Sequence, residues 1–78
     1  MRPKIKFTIS NWLSKQRQIN GMTQAQLSEL LNKPQSFVSK YENNERHLDF
    51  LETLEICFAL NVDPMGLIEL VKKEWKIK

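Results

Sequence analysis

Apolar residues recur along almost the whole chain at the three- and four-residue spacing of an α-helix, whereas the strict alternation typical of β-strands is rare. Only two glycines and three prolines interrupt the chain. Its 78 residues, 41% of them hydrophobic, suffice to cover one small core and leave no room for a second domain. The pattern therefore predicts one compact all-α domain of five helices.

The two ends of the chain are predicted to lie outside this bundle. Helix 1 is expected to start at about Ser10, a favourable N-cap residue, and to end just before Gly21. The chain then divides into a basic N-terminal arm at residues 1–7, a folded domain at 8–72 and a basic C-terminal tail at 73–78. Short basic termini of this kind either reach along a DNA backbone or simply move in solvent.

Helices 2 and 3 follow each other after a very short turn. Thr23 and, three residues on, Gln26 have the spacing of a capping box, which places the start of helix 2. The turn after helix 2 contains Asn32, which tolerates the left-handed conformation, and Pro34, which suits a first helical turn. Such a brief connection holds two helices at a steep angle, so helices 2 and 3 are predicted to form a helix-turn-helix.

Helix 4 is predicted to occupy the centre of the bundle. Asp49, with Glu52 three residues later, is a suitable N-cap, and Asn61 can close the helix. Apolar residues surround most of its circumference. They are Phe50, Leu51, Leu54, Ile56, Cys57, Phe58 and Leu60. Helix 5 then opens at Asp63 and Pro64, a cap residue followed by a proline.

Helix 5 carries an apolar stripe that exceeds what one small core can cover. The stripe consists of Leu67, Ile68, Val71 and Trp75. We expect these residues to form a self-association surface, because two-fold pairing would present two copies of helix 3 about 34 Å, one DNA turn, apart.

Helix 3 has two faces of different chemistry. Five polar residues fall within an arc of roughly 140°, and no carboxylate interrupts it. They are Gln35, Ser36, Ser39, Lys40 and Asn43. Such a face suits the major groove of DNA, where glutamine pairs with adenine and lysine donates to guanine. An ordinary solvated helix face has the same pattern, so the choice between a DNA-binding face and a solvated face depends on the neighbouring elements.

Further hydrogen-bond donors are expected on either side of helix 3. Gln24 stands at the start of helix 2, where orphan backbone N–H groups are placed to hold a phosphate. The loop at 43–47 supplies more phosphate donors, among them Asn44 and Arg46, just beyond helix 3. These donors favour DNA binding over a merely solvated face.

Composition excludes several other classes of protein. Twelve Lys and Arg against nine Asp and Glu give a net charge of +3, which favours an anionic partner only mildly. No apolar run is long enough to cross a membrane and no secretory signal is visible, so a cytoplasmic protein is expected. Cys57 is predicted to be a buried apolar residue and His47 has no ligand set around it, so we expect no metal and no cofactor. No carboxylate pair, activated nucleophile or phosphate loop can be named, which predicts that the chain is not an enzyme.

Three segments carry a resemblance to a known family. Residues 21–24 read GMTQ, residues 35–43 read QSFVSKYEN, and residues 59–64 read ALNVDP. With this spacing the chain resembles the Cro/C1-type (XRE) helix-turn-helix family over roughly residues 9–70. The resemblance implies a lambda-repressor-like five-helix fold that binds palindromic operators as a dimer.

Carried over by position, the resemblance assigns roles to individual residues. It implies that base edges are read by Gln35, Ser36 and Lys40. It implies that phosphate is anchored by Gln24 and Asn43. Ser39 lies between these groups and can serve in either role. An ion pair between Arg17 and Glu42 would fix helix 3 and present cationic groups to the DNA backbone, unless Arg17 is simply exposed and contacts phosphate by itself.

The sequence departs from the family at two turns. Asn32 and Asn44 stand where members often carry glycine. Asparagine accepts the left-handed conformation, so the fold should survive. Phe37 is a further ambiguous position, since its place at the edge of helix 3 allows either packing beside Tyr41 or contact with a thymine methyl group.

The sequence therefore predicts a transcriptional regulator that binds double-stranded DNA at specific sequences. We expect it to be a repressor that occupies a palindromic operator as a dimer. The alternative is an antitoxin or co-activator module that keeps the fold but binds a protein, either a toxin or the transcription machinery. A salt titration separates the two, because each phosphate contact lowers log K by about 0.9 per log unit of salt.

Overall fold

The computed structural model describes the backbone of residues 3–76 and the side chains of residues 5–76. This part of the chain forms five α-helices and no strand. The helices are α1 (Pro3–Ile19), α2 (Gln24–Leu30), α3 (Phe37–Glu42), α4 (Phe50–Ala59) and α5 (Met65–Trp75). Helix α1 packs on α5 and α3, and α2 packs on α3. The all-α, five-helix prediction is confirmed.

Helix α1 begins at Pro3, so the predicted start at Ser10 is wrong. Proline suits a first helical turn, and Ile5, which is only 4% exposed, packs the additional turns onto the bundle. Residues 3–7, predicted as part of an arm, are therefore helical. Ser10 lies inside α1 and therefore does not cap a helix. Its buried hydroxyl lies 3.0 Å from the backbone oxygen of Tyr41.

The C-terminal end is also more helical than expected. Helix α5 continues to Trp75, so residues 73–75 of the predicted tail belong to it. Lys76 then takes the left-handed conformation, with φ 62°. Residues 1–2 and 77–78, which hold part of the predicted arm and tail, lie outside the described range. The domain limits at 8 and 72 stay a prediction.

Two capping boxes start α2 and α4 where the sequence places them. The hydroxyl of Thr23 accepts the backbone N–H of Gln26 at 3.0 Å, and the Gln26 side chain accepts the Thr23 N–H at 2.9 Å. Asp49 and Glu52 repeat this exchange at 2.7 and 3.0 Å. Because each cap contributes about 1 kcal/mol to stability, the two boxes define the helix starts strongly.

Left-handed residues end the helices. Gly21 follows α1 with φ 69°, and Asn32, Asn44 and Asn61 follow α2, α3 and α4 with φ between 55° and 61°. Asparagine thus takes over the function of glycine at these turns, as expected. Pro34 does not open α3 directly: its carbonyl accepts the N–H of Phe37, and the helix starts only there.

The core lies between α1, α2, α3 and α4. Its fully or nearly fully buried members are Leu13, Leu27, Phe37, Val38, Tyr41, Ile56, Cys57 and Leu60. Cys57 is buried among apolar side chains, which confirms its predicted role. None of the helices in residues 3–76 has the length and the apolar character needed to cross a membrane.

Helix α4 does not lie at the centre of the bundle, so that prediction is wrong. Only one of its faces packs inward, through Ile56 and Cys57. Phe50, Leu51 and Phe58 are 73%, 65% and 65% exposed on the outer side. Helix α4 stays partly exposed because five short helices are too few to surround one of their own number.

Tyr41, the single tyrosine of the chain, provides a spectroscopic test of this packing. Burial first, and the neighbouring Glu42 carboxylate second, raise its pKa above the ordinary value of 10.0. The folded protein therefore holds the phenol proton more tightly than the unfolded chain. The Tyr41 phenol should leave the free energy of unfolding unchanged below pH 10. As the pH rises above that value, the free energy of unfolding should fall by up to about 1.4 kcal/mol per pH unit.

We expect tyrosinate absorbance in an alkaline titration to rise only together with the loss of helical circular dichroism. The urea-unfolded protein serves as the control and should titrate near the ordinary value. A phenolate signal that appears near pH 10 while the helices are intact would contradict the buried placement of Tyr41.

Candidate nucleic-acid interface

The Glu42 carboxylate joins α1, α2 and α3 at the base of the helix-turn-helix. Arg17 donates to it from Nε at 2.7 Å and from Nη2 at 3.0 Å. Gln24 Nε2 donates at 2.9 Å and the Ser14 hydroxyl at 3.2 Å. The side chains of Arg17 and Glu42 are only 12% and 6% exposed, so the pair lies away from bulk water. The hydrogen bond to Glu42 raises the pKa of Arg17.

This arrangement changes the roles predicted for Arg17 and Gln24. Arg17 also donates from Nη1 to the backbone oxygen of Met22 at 2.7 Å, so all three of its nitrogens bind within the protein. Its predicted ion pair with Glu42 is present. A contact from Arg17 to phosphate stays a prediction. The amide of Gln24 uses one N–H on Glu42 and has a second N–H available for a phosphate.

The polar strip predicted on α3 is open to solvent. Gln35, Ser36, Lys40 and Asn43 are exposed, and Ser39 is half-buried with its hydroxyl on the backbone oxygen of Ser36. Gln35 and Ser36 precede the first turn of α3 rather than lying in it. The opposite side of α3 is in the core through three residues: Phe37, Val38 and Tyr41. We call Gln35, Ser36, Ser39 and Lys40 the recognition strip.

Ser28, which the sequence did not indicate as a functional residue, holds the turn that presents the strip. Its side chain is fully buried on α2. Its hydroxyl accepts the N–H of Val38 at 3.2 Å and lies 3.3 Å from the carbonyl oxygen of Gln35. It therefore links α2 to the first turn of α3. The available signal was a small polar residue next to the apolar stripe of α2, which is too common a pattern to identify.

In the loop after α3, the predicted phosphate donors Asn44 and Arg46 are held by hydrogen bonds within the protein. The Ser10 hydroxyl lies 2.9 Å from Asn44 Oδ1, which ties this half-buried residue to α1. Arg46 contacts both carboxylate oxygens of Glu52, at 3.0 and 2.7 Å, and its own side chain remains 40% exposed. This bond raises the pKa of Arg46, and the Arg46 guanidinium lowers the pKa of Glu52. Contacts from Asn44 and Arg46 to phosphate stay a prediction.

Phe37 packs inside the protein. It is 7% exposed, and its ring meets that of Tyr41 edge to face, with 5.6 Å between centroids and 71° between planes. Of the two alternatives that the sequence leaves open, packing is the one that the structure shows.

A second surface lies on the side of α4 and α5. A groove of about 420 Å³ runs between α1, α4 and α5, and its walls are almost entirely apolar. All four residues predicted for self-association line the groove. Leu67 is buried and Val71 is half-buried, whereas Ile68 and Trp75 are 38% and 47% exposed. Their positions agree with one continuous apolar surface.

The α4 part of this surface was not predicted from the sequence. Phe50 and Leu54 line the groove beside α5, and Leu51 and Phe58 continue the same outer face of α4. The apolar residues nearly all around α4 predict burial within one chain, but they are equally compatible with an apolar face that a second chain covers. We call these four residues with Ile68 and Trp75 the outer apolar surface. Among the described residues, no group of His, Cys, Asp and Glu is arranged to hold a metal ion.

A polar strip presented by the second of two helices that follow each other after a short turn and pack together is typical of a helix-turn-helix protein. A family model described as helix-turn-helix matches residues 13–67, more than half of the chain. An XRE-family like protein from Pseudomonas syringae pv. tomato str. DC3000 has 35% sequence identity and a TM-score of 0.84, over 91% of this chain and 87% of that one. The chain belongs to the XRE (Cro/C1-type) helix-turn-helix family of DNA-binding transcriptional regulators.

A second relative of known structure is the wild-type restriction-modification controller protein C.Esp1396I. It is 27% identical, with a TM-score of 0.79 over 94% of this chain and 96% of that one. No curated protein matches the sequence. These findings confirm the resemblance that the sequence carries.

Proposed function

We propose that this protein is a sequence-specific regulator that binds double-stranded DNA as a homodimer at a palindromic operator in the cytoplasm. The observation that supports this most is the recognition strip, three of whose four residues are exposed while the reverse side of α3 is buried. Binding requires neither catalysis nor a cofactor. Repression is the proposed outcome, because occupying a promoter blocks other proteins without any further contact. The similarity to a restriction-modification controller protein supports a regulatory function.

Each member of the strip offers a different kind of contact. Gln35 has a donor and an acceptor with which it can pair with adenine, and Lys40 can donate to guanine. Ser36 offers a hydroxyl beside them. The Ser39 hydroxyl already donates to the Ser36 carbonyl, so it would act on DNA as an acceptor. Gln24 and Asn43 flank the strip as phosphate donors, and their contacts fix its position without selecting a sequence.

The outer apolar surface supports the dimer. Large apolar patches that remain open on a small protein mark interaction sites. A two-fold pair formed through α4 and α5 would repeat the recognition strip on both subunits, which is the symmetry that a palindromic site matches. The rival interpretation, a module whose main partner is another protein, uses the same surface but does not need the recognition strip.

Selection from a random pool of duplex DNA tests the proposal. We expect an enriched sequence with dyad symmetry, two half-sites about 10 base pairs apart, and an affinity that falls steeply with salt. A pool that never becomes enriched, combined with no binding to any duplex at low salt, would favour a protein-binding module instead.

Two glutamine variants separate reading of the bases from anchoring. Gln35→Ala should cost about 1 to 3 kcal/mol of binding for each half-site of the selected operator and relax the preference at one base pair in each half-site. Gln24→Ala should weaken binding to the operator and to unrelated duplexes alike. Fluorescence anisotropy with both duplexes measures the two effects. Equal losses on both DNAs for both variants would refute this division of roles.

A further inference from the structure

A second basic feature lies beside the recognition strip and surrounds the ring of Phe37. The Nζ atom of Lys33 lies 5.5 Å from the ring centroid, and Cζ of Arg46 lies 4.9 Å from it. Both distances are within the range of cation–π attraction. Lys33 comes from the turn between α2 and α3, and Arg46 from the loop after α3. One buried ring therefore attracts two cations from separate segments.

These two cations share a cleft with the recognition strip. The cleft has a volume of about 280 Å³ and is lined by Lys33, Pro34, Ser36, Phe37, Lys40 and Arg46. Ser36 and Lys40 belong to the strip itself. A ligand in this cleft would therefore lie directly next to a base pair read by α3.

The charges around the cleft do not balance. Arg46 is neutralised by Glu52, but within residues 3–76 neither Lys33 nor Lys40 forms an ion pair. Lys33 acts on Glu52 only at a distance, as a minor contribution to the lowered pKa of that carboxylate. Two positive charges thus remain uncompensated at short range, and an anion would relieve their repulsion.

The cleft also has donors to offer. A lysine ammonium carries three N–H groups and a guanidinium carries five. Arg46 uses three of its five, two on Glu52 and one on the backbone oxygen of His47 at 3.1 Å. Two N–H groups of Arg46 and all three of Lys33 remain for a ligand with several acceptor oxygens.

We propose that this cleft binds one phosphodiester group of the DNA backbone, with Lys33 as its main contact and Arg46 as the second. The inference rests on the proposed function. It adds Lys33 as a phosphate contact and places the predicted donor Arg46 in the same cleft. The attraction of the Phe37 ring favours positions of both cations beside the cleft, which reduces the entropy lost when the contact forms.

The test compares Lys33→Gln with Lys73→Gln, a matched loss of one charge on an exposed residue of α5. Binding of each variant to the selected operator and to an unrelated duplex is measured over a range of salt concentrations. Because the proposed dimer presents the cleft twice, Lys33→Gln should lower the slope of log K against log salt by about 1.8 on both duplexes, about 0.9 for each subunit, and weaken binding roughly 10- to 100-fold at 0.1 M salt. Lys33→Arg should restore the slope, and Lys73→Gln should leave it unchanged.

Three results would overturn or redirect the inference. Equal slopes for Lys33→Gln and the unmodified protein would exclude a backbone contact at this cleft. A loss confined to the operator would mean that Lys33 reads a base, which also rejects the proposal. Failure of the unmodified protein to bind any duplex would instead reject the proposed function, so the two failures are distinguishable.

Discussion

Replacing Glu42 with glutamine is expected to destabilise the protein by about 3 kcal/mol and to remove its preference for an operator. The carboxylate accepts four hydrogen bonds from Arg17, Gln24 and Ser14. With a neutral residue in its place the Arg17 charge stays in a site that is only 12% exposed, without an opposite charge beside it. Leaving one member of a buried ion pair unpaired costs about 3 to 5 kcal/mol, and the lower value suits a pair with some solvent contact.

The effect on DNA binding follows from the position of Glu42 at the end of α3. The carboxylate connects that end to α1 and α2, and it also orients the amide of Gln24. Without it, α3 loses its fixed angle to α2, and the recognition strip no longer meets a groove in one orientation. We therefore expect operator binding to fall toward the level of binding to unrelated DNA.

Urea denaturation followed by circular dichroism measures the first effect, and anisotropy with the two duplexes measures the second. Glu45→Gln, at an exposed carboxylate of the adjacent loop, makes the same change in charge and should have little effect on stability. The double variant Glu42→Gln with Arg17→Met should recover part of the loss, because it removes the unpaired charge. A cost below about 1 kcal/mol for Glu42→Gln would show that the network contributes little.

The second large effect is expected on assembly. Phe50→Lys together with Ile68→Lys places two charges on the outer apolar surface, where both side chains line the groove and are exposed. The fold should persist, because neither residue belongs to the core. We expect the variant to be a monomer and to bind the operator on the order of 10² to 10⁴ times more weakly, since each strip then binds without the other.

Analytical ultracentrifugation distinguishes the 9.3 kDa chain from a species of twice that mass, with and without operator DNA. Glu55→Lys changes the net charge by the same amount at an exposed position of α4 outside the groove, and it should leave the dimer intact. An unmodified protein that stays monomeric at all concentrations, even on a palindromic duplex, would contradict the proposed dimer. A lysine variant that still dimerises would locate the interface elsewhere.

The helix starts of α2 and α4 were predictable because their determinants are local. Thr23 with Gln26, and Asp49 with Glu52, exchange hydrogen bonds over three residues, so the sequence contains the whole interaction. The left-handed Asn32 was predictable for the same reason. The start of α1 at Pro3 was not predictable, because its first turns depend on tertiary contacts that bury Ile5.

The candidate site was predictable only in part. A helical wheel identifies the polar side of α3, including Gln35 and Ser36, even though these two residues precede the helix in the structure. The same wheel contains no information about Ser28, which fixes the turn from another helix. Nor does it show that Arg46 stacks on Phe37, since the two residues belong to different elements.

The sequence by itself determined the number and kind of the helices, the position of the helix-turn-helix and the polar side of its second helix, since these follow from hydrogen bonds and periodicity within a few residues. Tertiary structure decided which apolar face of α4 stays outside, and which donors the protein itself uses. Arg17 meets Glu42 across 25 positions of sequence, and Ser10 reaches Asn44 across 34. Such pairings depend on the packing of whole helices, because only packing brings side chains so far apart in the chain within hydrogen-bond distance.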